Sequence, residues 1–249
     1  MKKKKFIGDY EVISPEKLIK KGSESGFDQF FLVLALAYNN LKDLLLLSVD
    51  IGKKYESPIA ARTFHDGQIT GIVNHINILI ASTVCEFISY LSKRDVQKVI
   101  ESKDFKRVLN RIGNPKYRKD WEELIAVALE KNVRSDEFTR ILKEIRNNVG
   151  FHFNYENKKL LEGYKNFFFT SSVHSGNENA VYAIGETMET TRFFYADAAI
   201  QQFIDDATKE SSISTKDYNR ALGKTVGIMN KSISALVSQY IEEKNSEKH

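Results

Sequence analysis

Proline is nearly absent from this chain, and its scarcity constrains the fold more than any other feature. Only three of the 249 residues are proline, and each follows a serine or an asparagine, in the dipeptides Ser14-Pro15, Ser57-Pro58 and Asn114-Pro115. Proline is tolerated in the first turn of a helix, where its missing N–H costs nothing, and the serine or asparagine before it can cap the helix. The three dipeptides therefore predict helix starts, and the long proline-free spans between them favour long helices.

Two long apolar stretches have the spacing of α-helices. The first covers about residues 27–51, with an apolar stripe at intervals of three and four and further leucines over most of the remaining surface. A helix that is apolar nearly all round is either central in a bundle or shared with a second subunit. The second stretch covers about residues 69–92. The predicted inward positions are Phe27, Phe31, Leu34, Tyr38, Leu41, Leu45 and Ser48 in the first helix, and Ile72, Ile76, Leu79, Ile80, Val84, Phe87, Ile88 and Leu91 in the second.

The remaining patterns predict shorter helices and one small β element. Helical spacing recurs at about 94–101, 103–111, 119–131 and 135–149, and in two closing helices at about 189–209 and 215–243. Two segments flanking the turn-rich SGNEN predict a β-hairpin near residues 166–186. The predicted fold class is all-α, an antiparallel helical bundle with a small β-hairpin insertion. We expect a single domain over 1–249, with an N-terminal arm and short helix at 1–25, a helical core at 26–160, the hairpin at 161–188 and C-terminal helices at 189–249.

The composition predicts a cytoplasmic protein. The lone cysteine, Cys85, excludes an internal disulfide, and its apolar neighbours favour a packed, unreactive thiol. The basic start MKKKKF is not followed by an apolar region, so we expect no export signal. In FFLVLALAYNNLKDLLLL, the best membrane candidate, Asn39, Asn40, Lys42 and Asp43 interrupt the apolar run. Because such residues are costly in hydrocarbon, we expect a buried central helix there.

Motif searches exclude several enzyme classes. The sequence has no Gly-rich phosphate loop, no paired CxxC, no HExxH and no GxSxG. His65 and His75 have no carboxylate between them at a metal-ligand spacing, and they are interpreted as exposed or capping residues. The sequence therefore predicts no cofactor and no metal.

The segment EIRNNVGFHF carries the strongest candidate for chemistry. Gly150 is a natural stop for the 135–149 helix, because glycine adopts the left-handed conformation that ends helices. Arg146 then lies in the last turn, and a turn of the chain at Gly150 lets His152 approach it. Arginine can hold a phosphate bidentately while histidine transfers a proton, which suits RNA cleavage. Alternatively, a helix simply ends in a basic residue and a histidine packs behind it.

The same residues carry a resemblance to a known family. RNNVGFH resembles the Arg-x(4–6)-His signature of HEPN domains (higher eukaryotes and prokaryotes nucleotide-binding), in which a polar residue, here Asn147, commonly follows the arginine. The likeness extends over residues 26–160 as a pattern of helices. It implies a metal-independent ribonuclease, usually dimeric with two motifs facing one cleft, used in toxin–antitoxin or antiphage defence systems. Arg146 and His152 would be catalytic, and Asn147 would orient or bind RNA. Some members are inactive scaffolds.

Two further features bear on RNA chemistry. Glu86 lies within the second long helix, where it is either the ion-pair partner that orients Arg146 or an ordinary exposed or capping glutamate. The stretch KDFKRVLNRIGNPKYRK carries seven basic residues and one acid, interleaved with Phe105 and Tyr117 as candidate stacking rings. It is either an RNA-binding surface or a solvated helix face. The candidate RNA-binding residues are Lys103, Lys106, Arg107, Arg111, Lys116, Tyr117, Arg118 and Lys119.

Two hypotheses from different classes remain open. The leading one is a HEPN-like endoribonuclease that needs no metal, acts as a homodimer, has RNA as its partner and is restrained by an antitoxin or another defence-system component. The second is a non-catalytic dimeric scaffold that binds a nucleotide, RNA or a protein and uses Arg146 and His152 structurally. A small-molecule enzyme with its site under the hairpin is a weaker third interpretation, because the sequence supplies no nucleophile or cofactor loop for it.

Overall fold

Helices account for nearly all of the regular structure. The computed structural model describes residues 13–22, 25–54, 64–130, 133–150, 158–170, 180–211 and 213–246. In these residues 85% of the chain is helical and no strand is present, which confirms the all-α class. The helices are α1 (Pro15–Leu18), α2 (Gly26–Lys54), α3 (Phe64–Leu91), α4 (Arg94–Glu101), α5 (Lys103–Arg111), α6 (Pro115–Ala128), α7 (Val133–Ile145), α8 (Lys159–Lys165), α9 (Phe194–Glu210) and α10 (Thr215–Ser246).

Side-chain caps fix where two of the shorter helices begin. The Asn114 side chain accepts a hydrogen bond from the backbone N–H of Lys116 at 3.0 Å, and Pro115 occupies the first turn of α6. The helix predicted at 119–131 therefore begins four residues earlier, where the capping dipeptide places it. Ser102 caps α5 in the same way, accepting from the N–H of Phe105 at 3.2 Å. Ser14-Pro15 precedes α1, whereas Ser57-Pro58 lies outside the described residues.

The centre of the bundle is α3, not α2. Most sides of α3 are buried, apart from the stripe that carries Thr83, Glu86 and Tyr90, whereas α2 buries one stripe and exposes large apolar side chains on the opposite side. The prediction that the first long helix is buried and central is therefore wrong, although its predicted inward stripe faces the core. Stacking of Phe30, near the start of α2, on Tyr90, near the end of α3, shows that the two helices are antiparallel. The exposed apolar residues of α2 are Leu32, Leu36, Leu46, Leu47 and Val49.

The last helix, α10, is fastened to the start of α2. The Tyr240 ring stacks on Phe31 with centroids 4.2 Å apart, and its hydroxyl donates to Asp28 Oδ1 at 2.8 Å. The Lys244 ammonium lies 3.0 Å from the same carboxylate oxygen. Since Asp28 and Lys244 are both largely buried, this pair fixes the register between α2 and α10.

The predicted β-hairpin is not confirmed. Residues Asn166–Thr170, expected to begin its first strand, instead form a π-helical turn that continues α8. The rest of that strand and the turn, 171–179, lie outside the described residues. Ala183, in the expected second strand, forms an isolated antiparallel bridge with Arg192. The closing helix predicted from residue 189 begins at Phe194, after a short 3-10 turn at Met188–Thr190.

Two helices of the bundle are long and apolar enough to cross a membrane by length and composition. They are α2 and α3. In the most apolar window of α2, 22% of the residues are buried, compared with 56% in that of α3. A soluble protein's core helix passes the same test, which makes the finding weak evidence. The difference between the two shares again identifies α2 as the helix with an uncovered apolar side.

Candidate functional site

The turn that carries Arg146 and Asn147 is wider than an α-helix. The helix α7 ends at Ile145, and Arg146–Gly150 form a π-helical turn. The turn packs against α3 and α7. Insertions of this kind recur at functional sites, because the extra residue per turn redirects the side chains around it. The predicted 135–149 helix therefore changes its winding at the residue where the motif begins.

Gly150 allows a close approach and does not serve as a left-handed stop. It does not have a positive φ, so the predicted reason for this glycine is wrong. A Cβ built on Gly150 would lie 2.0 Å from Ser82 Oγ and 3.2 Å from Ser82 Cβ. Ser82 is fully buried on α3, so it cannot swing into solvent to make room. The glycine thus lets the π-turn pack directly on α3.

A buried asparagine holds the π-turn in shape. Asn148 Nδ2 donates to the backbone oxygen of Glu144 at 2.8 Å and to its Oε2 at 3.0 Å. Asn148 is buried, whereas Asn147 next to it is exposed. The sequence interpretation singled out Asn147 and missed Asn148. The consecutive asparagines at the end of an amphipathic helix were the available signal.

Arg146 has two hydrogen-bond partners in the described part of the chain. Its Nε donates to Glu86 Oε1 at 2.5 Å, and its Nη1 donates to Asn147 Oδ1 at 2.8 Å. The ion-pair interpretation of Glu86 is therefore correct as a contact, and its role in orienting Arg146 stays a prediction. The Arg146 side chain is 32% exposed and that of Glu86 is 46% exposed. An ion pair this open to water adds at most about 1 kcal/mol to stability.

Three N–H groups of the Arg146 guanidinium are not used by these two partners. An arginine has five N–H groups, and the bonds to Glu86 and Asn147 use two of them. Within the described residues, nothing accepts from the remaining three. They belong to Nη1 and Nη2, which form the fork that binds two oxygens of one phosphate. The arrangement can therefore hold a phosphate at the surface of the bundle.

The histidine of the motif is not among the described residues. His152 lies in 151–157, so its predicted approach to Arg146 stays a prediction. His174 and His249 also lie outside the described residues, and the side chain of His65 is not described either. His75 is exposed on α3. In the described part of the chain, no three His, Cys, Asp or Glu side chains are grouped so that they could hold a metal ion.

Cys85, the neighbour of Glu86, is a packed thiol. It is buried, as the sequence predicted. Its burial, and then the adjacent Glu86 carboxylate, raise the pKa of the thiol above its ordinary value of 9.0. The reactive thiolate is therefore disfavoured, and Cys85 is not suited to be a nucleophile at neutral pH.

The basic stretch is partly committed to structural contacts. Glu243 on α10 is nearly buried, Arg107 Nε donates to its Oε2 at 3.2 Å, and Arg111 Nη1 lies 3.2 Å from its Oε1. Phe105 is 0% exposed, so its prediction as a stacking ring is wrong. Tyr117 packs partly buried against the core. Arg118 is half-buried and donates to the backbone oxygen of Asn110 at 3.5 Å. The other four candidate RNA-binding residues are exposed lysines, namely Lys103, Lys106, Lys116 and Lys119.

The basic stretch lies on α5 and α6, and the Arg146 turn follows α7. The helix α5 packs on α10, whereas α6 packs on α10 and also on α3 and α7, the two helices that the Arg146 turn contacts. The side-chain contacts within the candidate site are those that join Arg146 to Glu86 and to Asn147. Comparisons of the chain with protein-family models, with curated proteins and with solved structures found no match.

Proposed function

We propose that the chain is a HEPN-like endoribonuclease that cleaves RNA without a metal ion. The observation that carries this proposal is that Arg146 is held by Glu86 and Asn147 while three of its five N–H groups have no acceptor in the described part of the chain. The antiparallel α2/α3 pair, followed by shorter helices and a motif after α7, also fits the helical pattern of the HEPN resemblance.

The proposed chemistry uses the 2′-hydroxyl of the RNA as the nucleophile. The 2′ oxygen attacks the adjacent phosphorus while the P–O5′ bond breaks, leaving a 2′,3′-cyclic phosphate and a 5′-hydroxyl end. His152 takes the proton of the 2′-hydroxyl or gives one to the departing 5′ oxygen. Arg146 binds the two non-bridging oxygens, where negative charge accumulates in the transition state. Asn147 fixes the guanidinium and has its amide N–H groups for an additional contact to RNA.

A second copy of the chain is the proposed cover for the exposed face of α2. Next to this face, α2 and α3 enclose a groove of about 280 Å³ that includes Leu36 and also Glu86, the partner of Arg146. Burial of several large apolar side chains is the usual driving force for a subunit interface. A copy docked on this face would therefore lie beside the Arg146 turn, which is the arrangement expected of a cleft made by two motifs.

The dimer is tested by its mass in solution. Sedimentation equilibrium of the native chain should give a dimer, and Leu36→Glu with Leu47→Glu should give a folded monomer. Leu161→Glu, which changes an equally exposed leucine on α8, should leave the mass unchanged. A monomeric native protein, or one that partitions onto lipid vesicles through α2, would contradict the dimer.

The second candidate function is a non-catalytic scaffold that binds RNA, a nucleotide or a protein partner such as an antitoxin. The observation that favours it is the Glu86 carboxylate, which offsets the positive charge that Arg146 would offer a phosphate. In this alternative the ion pair only joins the π-turn to α3, and Arg146 and His152 have structural roles.

A modified substrate separates the two candidates. An RNA oligonucleotide with an established cleavage position should be cut to a cyclic phosphate, and the same oligonucleotide with one 2′-deoxy residue at that position should be bound but not cut. The Glu86→Gln variant keeps an oxygen that can accept from Arg146, so we expect it to retain more activity than Glu86→Ala. Cutting of the deoxy substrate would refute the 2′-hydroxyl mechanism, and binding of RNA without any cleavage would favour the scaffold.

A further inference from the structure

The basic residues of α5 and of the start of α6 lie on two helices that are held together, and we call this surface the α5/α6 face. Residues 112–114 connect the two helices, and the rings of Phe105 and Trp121 pack against each other with centroids 5.6 Å apart. Arg118 Nη1 on α6 donates to the backbone oxygen of Asn110 on α5 at 3.5 Å. The two helices therefore carry their basic side chains next to one another. These residues are Lys103, Lys106, Arg107, Arg111, Lys116, Arg118 and Lys119.

The α5/α6 face holds the positive charge of the chain. In the described residues, two carboxylates, Asp104 and Glu243, form ion pairs with its seven basic residues, which leaves a net charge of +5. The formal net charge of all 249 residues is +4, so the rest of the chain carries −1. The next residues of α6 bound the face with acids, which are Asp120, Glu122 and Glu123. The positive charge is therefore concentrated at one place, where it can attract an anion.

The arginines and the lysines of this face have different surroundings. Arg107 and Arg111 share the carboxylate of Glu243, whose side chain is only 9% exposed, while about half of each arginine side chain is exposed. The four lysines are exposed, and the ion pairs of this stretch within the described residues involve none of them. The arginines thus join α5 to α10, and the lysine ammonium groups are available to a ligand. These lysines are Lys103, Lys106, Lys116 and Lys119.

The spacing of the lysines favours a ligand that carries several negative charges along its length. A single small anion would be held only weakly, because water and salt screen an exposed charge. A polyanion that contacts several lysines releases its own counterions, and this release drives proteins onto nucleic acids. Each helix presents two lysines three residues apart, with Cβ atoms about 5–6 Å from each other, so that the pair can contact neighbouring phosphates of one strand.

The face lacks the apolar surface that a membrane or a protein partner would use. Within α5 and α6, no large apolar side chain is exposed, and Phe105 is buried in the core. Peripheral membrane binding needs apolar side chains that enter the bilayer, and the centres of protein interfaces are depleted of charged residues. A nucleic acid backbone, by contrast, is bound chiefly through its phosphates.

We propose that the α5/α6 face binds the phosphodiester backbone of RNA without reading its sequence, as a contact separate from the Arg146 turn. The four exposed lysines contact phosphates, and Arg107 and Arg111 add positive charge while they hold α5 on α10. The inference rests on the proposed function in one respect, which is that RNA is the polyanion. It does not require cleavage, because the face contains no residue of the Arg146 turn.

The test measures the binding of a fluorescein-labelled, single-stranded 2′-O-methyl RNA, which cannot be cleaved through its 2′ oxygen. Fluorescence anisotropy gives the dissociation constant at salt concentrations from about 0.05 to 0.3 M. A four-lysine variant replaces Lys103, Lys106, Lys116 and Lys119 by glutamine, which has a similar helix propensity. Each lost phosphate contact lowers the salt dependence of single-strand binding by about 0.7, so the slope should fall by about 2–3. The affinity at about 0.1 M salt should fall by about a hundredfold or more.

A second variant with the same change in net charge is the matched control. It replaces four lysines that are also exposed but lie on α2, beside or within α8, and on α10, and these are Lys53, Lys158, Lys165 and Lys216. Salt screens charges that lie away from the bound strand, so this variant should bind the RNA within about threefold of the native protein. Circular dichroism establishes that both variants are folded.

Each outcome supports or overturns the proposal. A loss of affinity and of salt dependence in the first variant alone supports it. Equal losses in both variants, no loss in either, or no binding by the native protein would overturn it, as would tighter binding to phosphatidylserine vesicles than to the RNA. Cleavage of ordinary RNA without lysine-dependent binding would refute this inference and leave the ribonuclease proposal standing, whereas lysine-dependent binding without cleavage would do the reverse.

Discussion

Gly150→Ala tests the packing on which the candidate site rests. The added methyl group would lie 2.0 Å from Ser82 Oγ, a separation that no real contact tolerates, and Ser82 is fully buried. Either α3 or the π-turn must shift, at a cost of about 1–3 kcal/mol for overpacking. Alanine is the better helix former by about 0.5–1 kcal/mol, and the backbone of Gly150 has no positive φ to forbid it. The free energy of unfolding should therefore fall by about 0.5–2 kcal/mol.

A second substitution isolates the contact. Ser82→Ala removes the clashing oxygen, which has no hydrogen-bond partner in the described residues, so alone it should be neutral or slightly stabilising. In the double variant the nearest remaining Ser82 atom is its Cβ at 3.2 Å, a tight but tolerable contact. We expect the double variant to recover most of the lost stability, with a coupling energy of about 1–2 kcal/mol.

The assay is unfolding in urea, monitored by circular dichroism. The slope of the unfolding free energy against urea concentration must be the same in all variants for their stabilities to be compared. Gly227→Ala is the matched control, because its Cβ enters open space in the interior of α10, and it should be stabilised by about 0.5–1 kcal/mol. The reasoning would be refuted if Gly150→Ala were as stable as the native chain, or if Ser82→Ala failed to relieve its cost.

Two further predictions concern stability. Burial raises the pKa of both Cys85 and Tyr218, so the unfolded chain loses these protons at lower pH than the folded one. These groups should therefore leave the free energy of unfolding unchanged below about pH 8.5 and lower it above that pH, by up to about 1.4 kcal/mol per pH unit for each group. In urea titrations, Tyr218→Phe should reduce the loss of stability between about pH 9 and 11. An identical loss in that variant would contradict the prediction. Asp28→Ala leaves Lys244 without its ion-pair partner and should cost about 2–3 kcal/mol, whereas the Tyr240 hydroxyl still has the backbone oxygen of Leu18 at 3.0 Å. Asp28→Asn, which keeps an acceptor oxygen, should cost less in the same thermal melts, and equal losses would show that the acceptor does not matter.

The helices were the predictable part of this fold, because periodicity and caps are local. The predicted spans 94–101 and 103–111 coincide with α4 and α5, and α10 begins at Thr215 as expected. The predicted inward stripe of α2 is also correct, since apolar spacing identifies the residues that can face a core. The spacing could not show that its other leucines stay exposed, because that depends on which elements pack around the helix.

The site was predictable in its residue types and not in its geometry. Arg146 and Asn147 stood out because the segment RNNVGFH combines an arginine, a following polar residue and a histidine six positions after the arginine at the end of an amphipathic helix. The contact with Glu86 joins residues 60 positions apart, so no local pattern could establish it. The same holds for Gly150, whose need for space arises from Ser82 on another helix. Phe105 was predicted to be an exposed stacking ring because its sequence neighbours are basic. In the helix α5, however, its side chain is buried in the core while the lysines beside it are exposed.

Cleavage of mixed cellular RNA in the presence of EDTA would show whether the chain is a ribonuclease that needs no metal ion. The native protein is compared with His152→Ala and Arg146→Ala, and circular dichroism establishes that all three are folded. We expect the native protein to cleave the RNA and leave cyclic phosphate ends, and we expect both folded variants to lose this activity. Cleavage that survives either substitution, that stops when EDTA removes metal ions, or that is absent from the native protein would contradict this expectation.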